Sequence, residues 1–214
     1  MNDHLPSLRQ RFDHLTFQYQ FNPFTRWVGS SELRSLRKML PSPAQLGVTR
    51  ALDFGCGTGR AAALMSKAGY RVTGYDVSQR MLARAGEIRG DYANITFTSD
   101  IHSLQGSWPL IVVLGVLDYY PDSRPMWQDW KKLLEPDSFI IVTVPNARSF
   151  LARTYTLLSR FTYRAFVTTN AVLISTASSE GFSHMQTQYA FPNRWWGHTT
   201  LFKFHYSLKE AFLQ

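Results

Sequence analysis

From Arg50 onward the chain alternates short apolar runs with amphipathic stretches. ALDF gives way to a glycine turn and helical AAALMSKAG, then apolar RVTGYDV, helical SQRMLARAGEIRG, strand-like ITFTSD and the run LIVVLGVL at 110–117. Repeated strand–helix alternation of this kind predicts a parallel sheet covered by helices on both faces. A helix is expected over 123–134 (SRPMWQDWKKLL), followed by a β-branched strand at 139–145 (FIIVTVP) that proline ends. The last 68 residues read differently, with a long helical segment over 149–166 and two strand candidates, HMQTQYAF and TTLFKFHY. The expected fold is α/β, Rossmann-like and doubly wound: a mostly parallel seven-stranded sheet with helices on both faces.

Proline-punctuated PSPAQLGV at 41–48 separates the N-terminal stretch from the first strand, and neither a repeat nor a low-complexity stretch is visible. The expectation is one domain overall. Residues 1–48 are expected to form an N-terminal helical cap, 49–214 the main α/β unit, and 149–178 a lid or substrate-helix insertion within it.

Composition narrows the chemistry. A single cysteine, Cys56, excludes an internal disulfide framework, a cysteine-built zinc site and a three-cysteine iron–sulfur site. The N-terminal stretch lacks an apolar core of signal-peptide length, and the 110–117 run is far below spanning length, so a cytoplasmic location is expected. The net charge is +8, but the arginines are scattered and no nucleic-acid-binding motif accompanies them, so a solvated basic surface is favoured over a nucleic-acid partner.

Asp53-Phe54-Gly55-Cys56-Gly57-Thr58-Gly59 lies between an apolar strand and an alanine-rich helix, where glycines let backbone approach a ligand closely. The dinucleotide fingerprint G-x-G-x-x-G needs glycine at 60, and this chain has Arg60, so a donor without a pyrophosphate is favoured. Asp76 closes the next strand 19 residues beyond Gly57, placed to accept from ribose hydroxyls. Asp100 ends the third strand candidate, where an adenine contact competes with a plain helix-capping role.

In LDFGCGTG (52–59), VTGYDVSQRML (72–82), TSDIHSL (98–104), LIVVLGVLDYYPD (110–122) and LLEPDSFIIVTVPN (133–146) the chain resembles the class I S-adenosylmethionine-dependent methyltransferases. The likeness is to the small-molecule branch that includes the ubiquinone-biosynthesis enzymes. The resemblance implies Asp53 and the Gly55-Cys56-Gly57 backbone around the donor's methionine end and Asp76 with Val77 at the ribose. It places Asp100 with Ile101 at the adenine, and Leu114 with Gly115 behind the methionine moiety. The chain departs from the pattern at Glu135-Pro136-Asp137-Ser138, where relatives carry proline and paired glycines.

Within the cap, Tyr19 is a candidate to line the sulfonium pocket and Arg26 to pair with the donor's carboxylate; a purely packing role for the cap's aromatics competes. Base candidates are Asp118, Tyr119 and His184, with His102 and His198 behind them. No metal is expected, since Asp118 and Asp122 do not make a site on their own. The lone cysteine sits inside the glycine turn, which excludes a cysteine-nucleophile base methylation, and the motif of amino-nucleobase methylation is missing after the fourth strand. Because 14 of the 31 aromatic residues fall in the last 68 positions, an apolar or aromatic small-molecule acceptor is favoured, methylated on O or N with C less favoured. Arg153, Arg160 and Arg164 share one stripe of the 149–166 helix, which suits either a lid with snorkelling arginines or peripheral contact with an anionic membrane. Two other readings stand beside this one: a non-catalytic binding or scaffold protein on the same fold, and an NAD-dependent oxidoreductase, disfavoured by the glycine spacing.

Overall fold

The computed structural model describes residues 13, 23–47, 49–89, 92–104, 106–150, 153–154, 157, 166, 168–190 and 199–207. Helices α1 (Pro23–Met39) and α2 (Pro43–Leu46) precede strand β1 (Arg50–Phe54). Then come α3 (Arg60–Lys67), β2 (Arg71–Tyr75), α4 (Gln79–Arg89), β3 (Ile95–Thr98), β4 (Trp108–Val113), α5 (Arg124–Leu133), β5 (Leu134–Pro145), α6 (Asn170–Ser179), β6 (Phe182–Tyr189) and β7 (Thr199–Tyr206).

The strands form one seven-stranded sheet in the order β3-β2-β1-β4-β5-β7-β6. The β1–β2, β2–β3, β1–β4 and β4–β5 pairings are parallel, whereas β7 runs antiparallel to both β5 and β6. The expected strand–helix alternation and mostly parallel sheet are thus present. Central strands read as continuous apolar text because both faces are covered: all six residues of β4 are buried.

Alternation along the strands sorts side chains between two cores. Leu52, Phe54, Ile111, Val113, Phe202 and Phe204 point to the face covered by Trp127 and Trp130 of α5 and Leu173 and Ala177 of α6. Ala51, Leu110, Val112 and Leu201 meet Leu36 and Met39 of α1 and Ala61, Ala62 and Met65 of α3 on the other.

Three local expectations need correction. The 41–48 stretch is not only a loop, since Pro43–Leu46 closes a helical turn. The fifth strand begins at Leu134, five residues earlier than expected, because the departing Glu135–Ser138 segment stays extended apart from Asp137. Asp137 takes φ 59°, a conformation that aspartate tolerates better than most residues and that the relatives' glycine would favour. The expected helix over 149–166 falls mostly outside the described residues; of those described within it, Phe150, Arg153, Thr154 and Leu157 are helical, Phe150 and Leu157 being exposed, whereas Ser149 is buried and neither it nor Phe166 is helical.

Candidate functional site

The sheet order reverses direction between β1 and β4, and in open α/β sheets ligands bind outside the carboxyl ends of the strands at such a switch point. The glycine turn follows β1 at that point. The Gly55 and Cys56 amides both donate to the Tyr75 carbonyl, at 2.8 and 2.9 Å, which pins the turn to the end of β2. Gly55, Gly57 and Gly59 all have positive φ. A Cβ at Gly55 would overlap Val116 Cγ2, but at Gly57 or Gly115 it would meet no atom within 4 Å, so these two present bare backbone outward.

Asp76 leaves β2 directly beside the turn. Its Oδ2 accepts from the Gly57 amide at 2.7 Å and its Oδ1 from the Ser78 amide at 2.9 Å. Burial makes it a weaker acid than an ordinary carboxyl, an effect partly offset by these two amides. Each oxygen keeps lone-pair capacity beyond its one amide, which suits a vicinal diol. Val77 follows and packs on the α5-side core.

Asp53, at 1% exposure, is the most constrained acid of the set. Its Oδ2 is buried with no hydrogen-bond partner, and desolvation pushes its pKa up to about 7, against the lowering effect of the Ala62 amide. Asp76 raises it further while Arg60 lowers it. An orphaned carboxylate oxygen beneath a glycine turn is what an ammonium group would satisfy. The Cys56 thiol is buried and pushed well above its usual range by that burial and by the two aspartates, so it fills space and is inert.

Asp100 is exposed and caps the short 3-10 turn Ile101–Ser103, its Oδ1 accepting from the His102 amide at 2.9 Å. Its capping role is therefore realised, and Ile101 beside it packs on the core edge. Leu114 packs on the α1/α3-side core. Gly115 turns with φ 66°, its amide donating to Thr143 Oγ1 at 2.7 Å. Thr143 was not foreseen from sequence, because its partner Gly115 lies 28 residues away, in the turn after the neighbouring strand β4.

Asp118 and Tyr119 lie in the 3-10 turn Leu117–Tyr119 after β4, at the same edge. Asp118 Oδ1 is buried without a partner, and desolvation holds its pKa up at about 6. The Asp118 carbonyl accepts from the Phe166 amide at 2.8 Å, joining the end of the 149–166 segment to this turn.

His184 is a correction. It stands on edge strand β6 opposite Phe204, which in turn stands opposite Ile140, five residues short of the end of β5. At about 3.3 Å per residue this puts it roughly 17 Å below the edge that carries the other residues. There its ring pairs with Thr187 Oγ1 at 2.9 Å on an exposed surface. His102 is exposed within the 3-10 turn after β3, while Tyr19 and His198 lie outside the described residues. Arg26 is on the exposed side of α1, one turn before Gly29.

Sequence reading also missed Asp13, whose Oδ1 accepts from Ser78 Oγ at 2.6 Å while its carbonyl accepts from Arg80 Nη1 at 3.2 Å. Residue 13 thus rests on the loop that carries Asp76. Such tertiary contacts leave no local signature.

The seven-stranded order with one reversed strand, a glycine turn after β1 and an acid closing β2 define the class I S-adenosylmethionine-dependent methyltransferase fold. A family model described as a methyltransferase domain matches residues 25–202, and the chain belongs to that family. Among curated proteins it is 26% identical over 133 residues to the ubiquinone biosynthesis O-methyltransferase of Pseudomonas aeruginosa strain UCBPP-PA14, covering 56% of this chain and 57% of that protein. The match therefore spans little more than half the length of those relatives. Among solved structures it is similar to the magnesium protoporphyrin IX methyltransferase of Synechocystis PCC 6803 with bound SAH, at TM-score 0.76 and 20% identity, covering 96% of this chain and 100% of that one. The Burkholderia thailandensis 1,6-didemethyltoxoflavin-N1-methyltransferase aligns at TM-score 0.69 and 17% identity, covering 97% and 91%. At these identities the structural likeness concerns the fold.

Proposed function

We propose that the protein transfers a methyl group from S-adenosylmethionine to an oxygen or nitrogen of an apolar or aromatic small molecule, leaving S-adenosylhomocysteine. The supporting observation is the pairing of Asp76, already aligned by two amides, with the orphaned Asp53 Oδ2 across one glycine turn. The donor supplies a sulfonium whose methyl is displaced in line. The chain's own part is to hold, align and enclose.

Asp76 with Val77 holds the ribose, and Asp53 with the Gly55, Cys56 and Gly57 backbone takes the methionine end. Asp100 and Ile101 border the adenine, while Leu114 and Gly115, fixed by Thr143, back the methionine moiety. Asp118, with Tyr119 beside it, is the proton acceptor for a hydroxyl or amine. Residues 1–48 cap the site, with Tyr19 and Arg26 as the cap's contributions, and Asp13 anchors that cap to the Asp76 loop. Residues 149–178 act as lid, latched through Phe166 to Asp118.

Transfer of radiolabelled methyl from S-adenosylmethionine to a panel of phenols, carboxylic acids and heteroaromatic amines tests the reading. Label in an organic-extractable product, lost in Asp76→Ala, supports it. Donor binding without labelling of any acceptor favours the scaffold alternative.

A peripheral membrane role for the 149–166 segment is favoured by one observation: Phe150 and Leu157, seven residues apart and both helical, are 62% and 58% exposed. No helix among the described residues is long and apolar enough to cross a membrane. Sedimentation with anionic vesicles supports this contact, and failure to sediment removes it.

A further inference from the structure

Arg60 takes the place of the glycine that a dinucleotide fingerprint would need, and the fold gives its side chain a seat. It is the first residue of α3, directly after the glycine turn, and no side chain caps that helix. A Cβ on Gly29 of α1 would overlap its guanidinium, reaching Cζ at 2.6 Å and Nη2 at 2.7 Å. Glycine is a poor residue for a helix interior, yet here it opens the gap that holds the guanidinium against α1.

Register fixes the height of that seat. Asp53 lies beside Val112, Val112 beside Ile141 and Ile141 beside Lys203. Pro145 and its partner Thr199 stand four residues further toward the carboxyl edge, level with Gly57. There Thr199 Oγ1 donates to Glu32 Oε1 of α1 at 2.8 Å. From Glu32 the helix runs toward the amino edge, where Tyr70 Oη, just before β2, donates to the Pro41 carbonyl at 2.6 Å. Gly29, three residues ahead of Glu32, is therefore about 4.5 Å further out. The guanidinium thus lies beyond the carboxyl edge, beside the glycine turn.

Its fork is unused. Arg60 is exposed, and among the described residues it makes neither a side-chain hydrogen bond nor an ion pair within 4 Å. Asp53, which accepts from the Ala62 amide in the same first turn of α3, keeps Oδ2 without a partner. One turn therefore carries a cation without an anion and an anion without a cation, with the seat on Gly29 holding them apart.

We propose that Arg60, seated on Gly29, binds a carboxylate of a ligand enclosed in the site. This rests on the methyl-transfer reading, which supplies two sources for the group: the donor's own carboxylate or one on the acceptor. The planar guanidinium matches a carboxylate bidentately and carries a single charge. A phosphate dianion would bring a second negative charge to a site that already holds Asp53, Asp76 and Glu32.

The test is calorimetric titration of wild type, Arg60→Gln and Gly29→Ala with S-adenosylmethionine, decarboxylated S-adenosylmethionine and 5′-methylthioadenosine. The site's acids by themselves favour the more cationic decarboxylated donor, so tighter binding of S-adenosylmethionine reports a specific anion partner. If the donor is the source, wild type prefers S-adenosylmethionine at least tenfold. Arg60→Gln and Gly29→Ala then each erase that preference while 5′-methylthioadenosine, which lacks the amino-acid tail, binds all three proteins within twofold. If the acceptor is the source, wild type shows no such preference. Its S-adenosylhomocysteine complex instead takes benzoate over benzamide, a selectivity lost in both variants. A preference that survives Arg60→Gln or falls only in Arg26→Gln, an equal loss of 5′-methylthioadenosine binding, or no selectivity in either arm overturns the proposal. Binding of none of the adenosine ligands overturns the donor reading instead.

Discussion

Substituting Gly55 by alanine probes how the glycine turn is locked to the post-β4 turn. The residue sits at φ 74°, a left-handed conformation that costs an L-residue about 1–2 kcal/mol. The new Cβ would also overlap Val116 Cγ2, and overpacking of this kind costs about 1–3 kcal/mol. The turn cannot slide away cheaply, because the Gly55 and Cys56 amides both bond the Tyr75 carbonyl. The summed loss is on the order of 3 kcal/mol, which for a chain of this size lowers Tm by roughly 6–12 °C. Adding Val116→Ala removes the overlapped methyl, so a double-mutant cycle read by thermal melts should show about 1–2 kcal/mol of favourable coupling. Gly57→Ala serves as control: its φ is 54° but its Cβ would meet nothing within 4 Å, so it bears only the strain and gains nothing from Val116→Ala. Additive losses in the Gly55/Val116 pair, or equal coupling in the Gly57/Val116 pair, refute this reasoning.

Asp76→Asn leaves only one oxygen for the Gly57 and Ser78 amides, so it should destabilise by about 1–3 kcal/mol and weaken S-adenosylmethionine binding roughly ten- to hundredfold, measured by melts and calorimetry. Unchanged affinity contradicts the ribose assignment. Asp53 is held at a pKa of about 7, above its unfolded value near 4, so the folded state binds more protons than the unfolded one in that window. Stability from this group is present below about pH 4 and is lost as pH rises through about 7. Ligand-free wild type should therefore lose up to about 4 kcal/mol relative to Asp53→Asn between pH 4 and 8, by urea unfolding; a relative gain is the contrary result. Gly29→Ala displaces the Arg60 guanidinium. The helix should gain about 0.5–1 kcal/mol in propensity while donor affinity falls, which separates Arg60's electrostatic role from its packing when melts and titrations are compared.

The glycine turn, Asp53, Asp76 and the seven-strand alternation were legible because each rests on local spacing or on a period of two. The turn needs its glycines within five residues, and the acid closing β2 follows from one strand–helix–strand unit. The tertiary contacts were not legible. Thr143 steadies Gly115, Asp13 meets Ser78, and Glu32 meets Thr199 only once the sheet has assembled. Likewise His184 read as a base because histidine near a strand suits one, whereas register alone puts it at the wrong end of β6. Helix α6 escaped because NAVLISTASS lacks an apolar stripe; its start is fixed by Thr169, whose Oγ1 accepts from the Val172 amide.

The most direct measurement is a calorimetric titration of the wild-type protein with S-adenosylmethionine, S-adenosylhomocysteine and NAD. Micromolar binding of the first two with no heat from NAD is the expected result. Binding of NAD alone, or of none of the three, would contradict the assignment of the glycine turn and its two aspartates to a methyl donor.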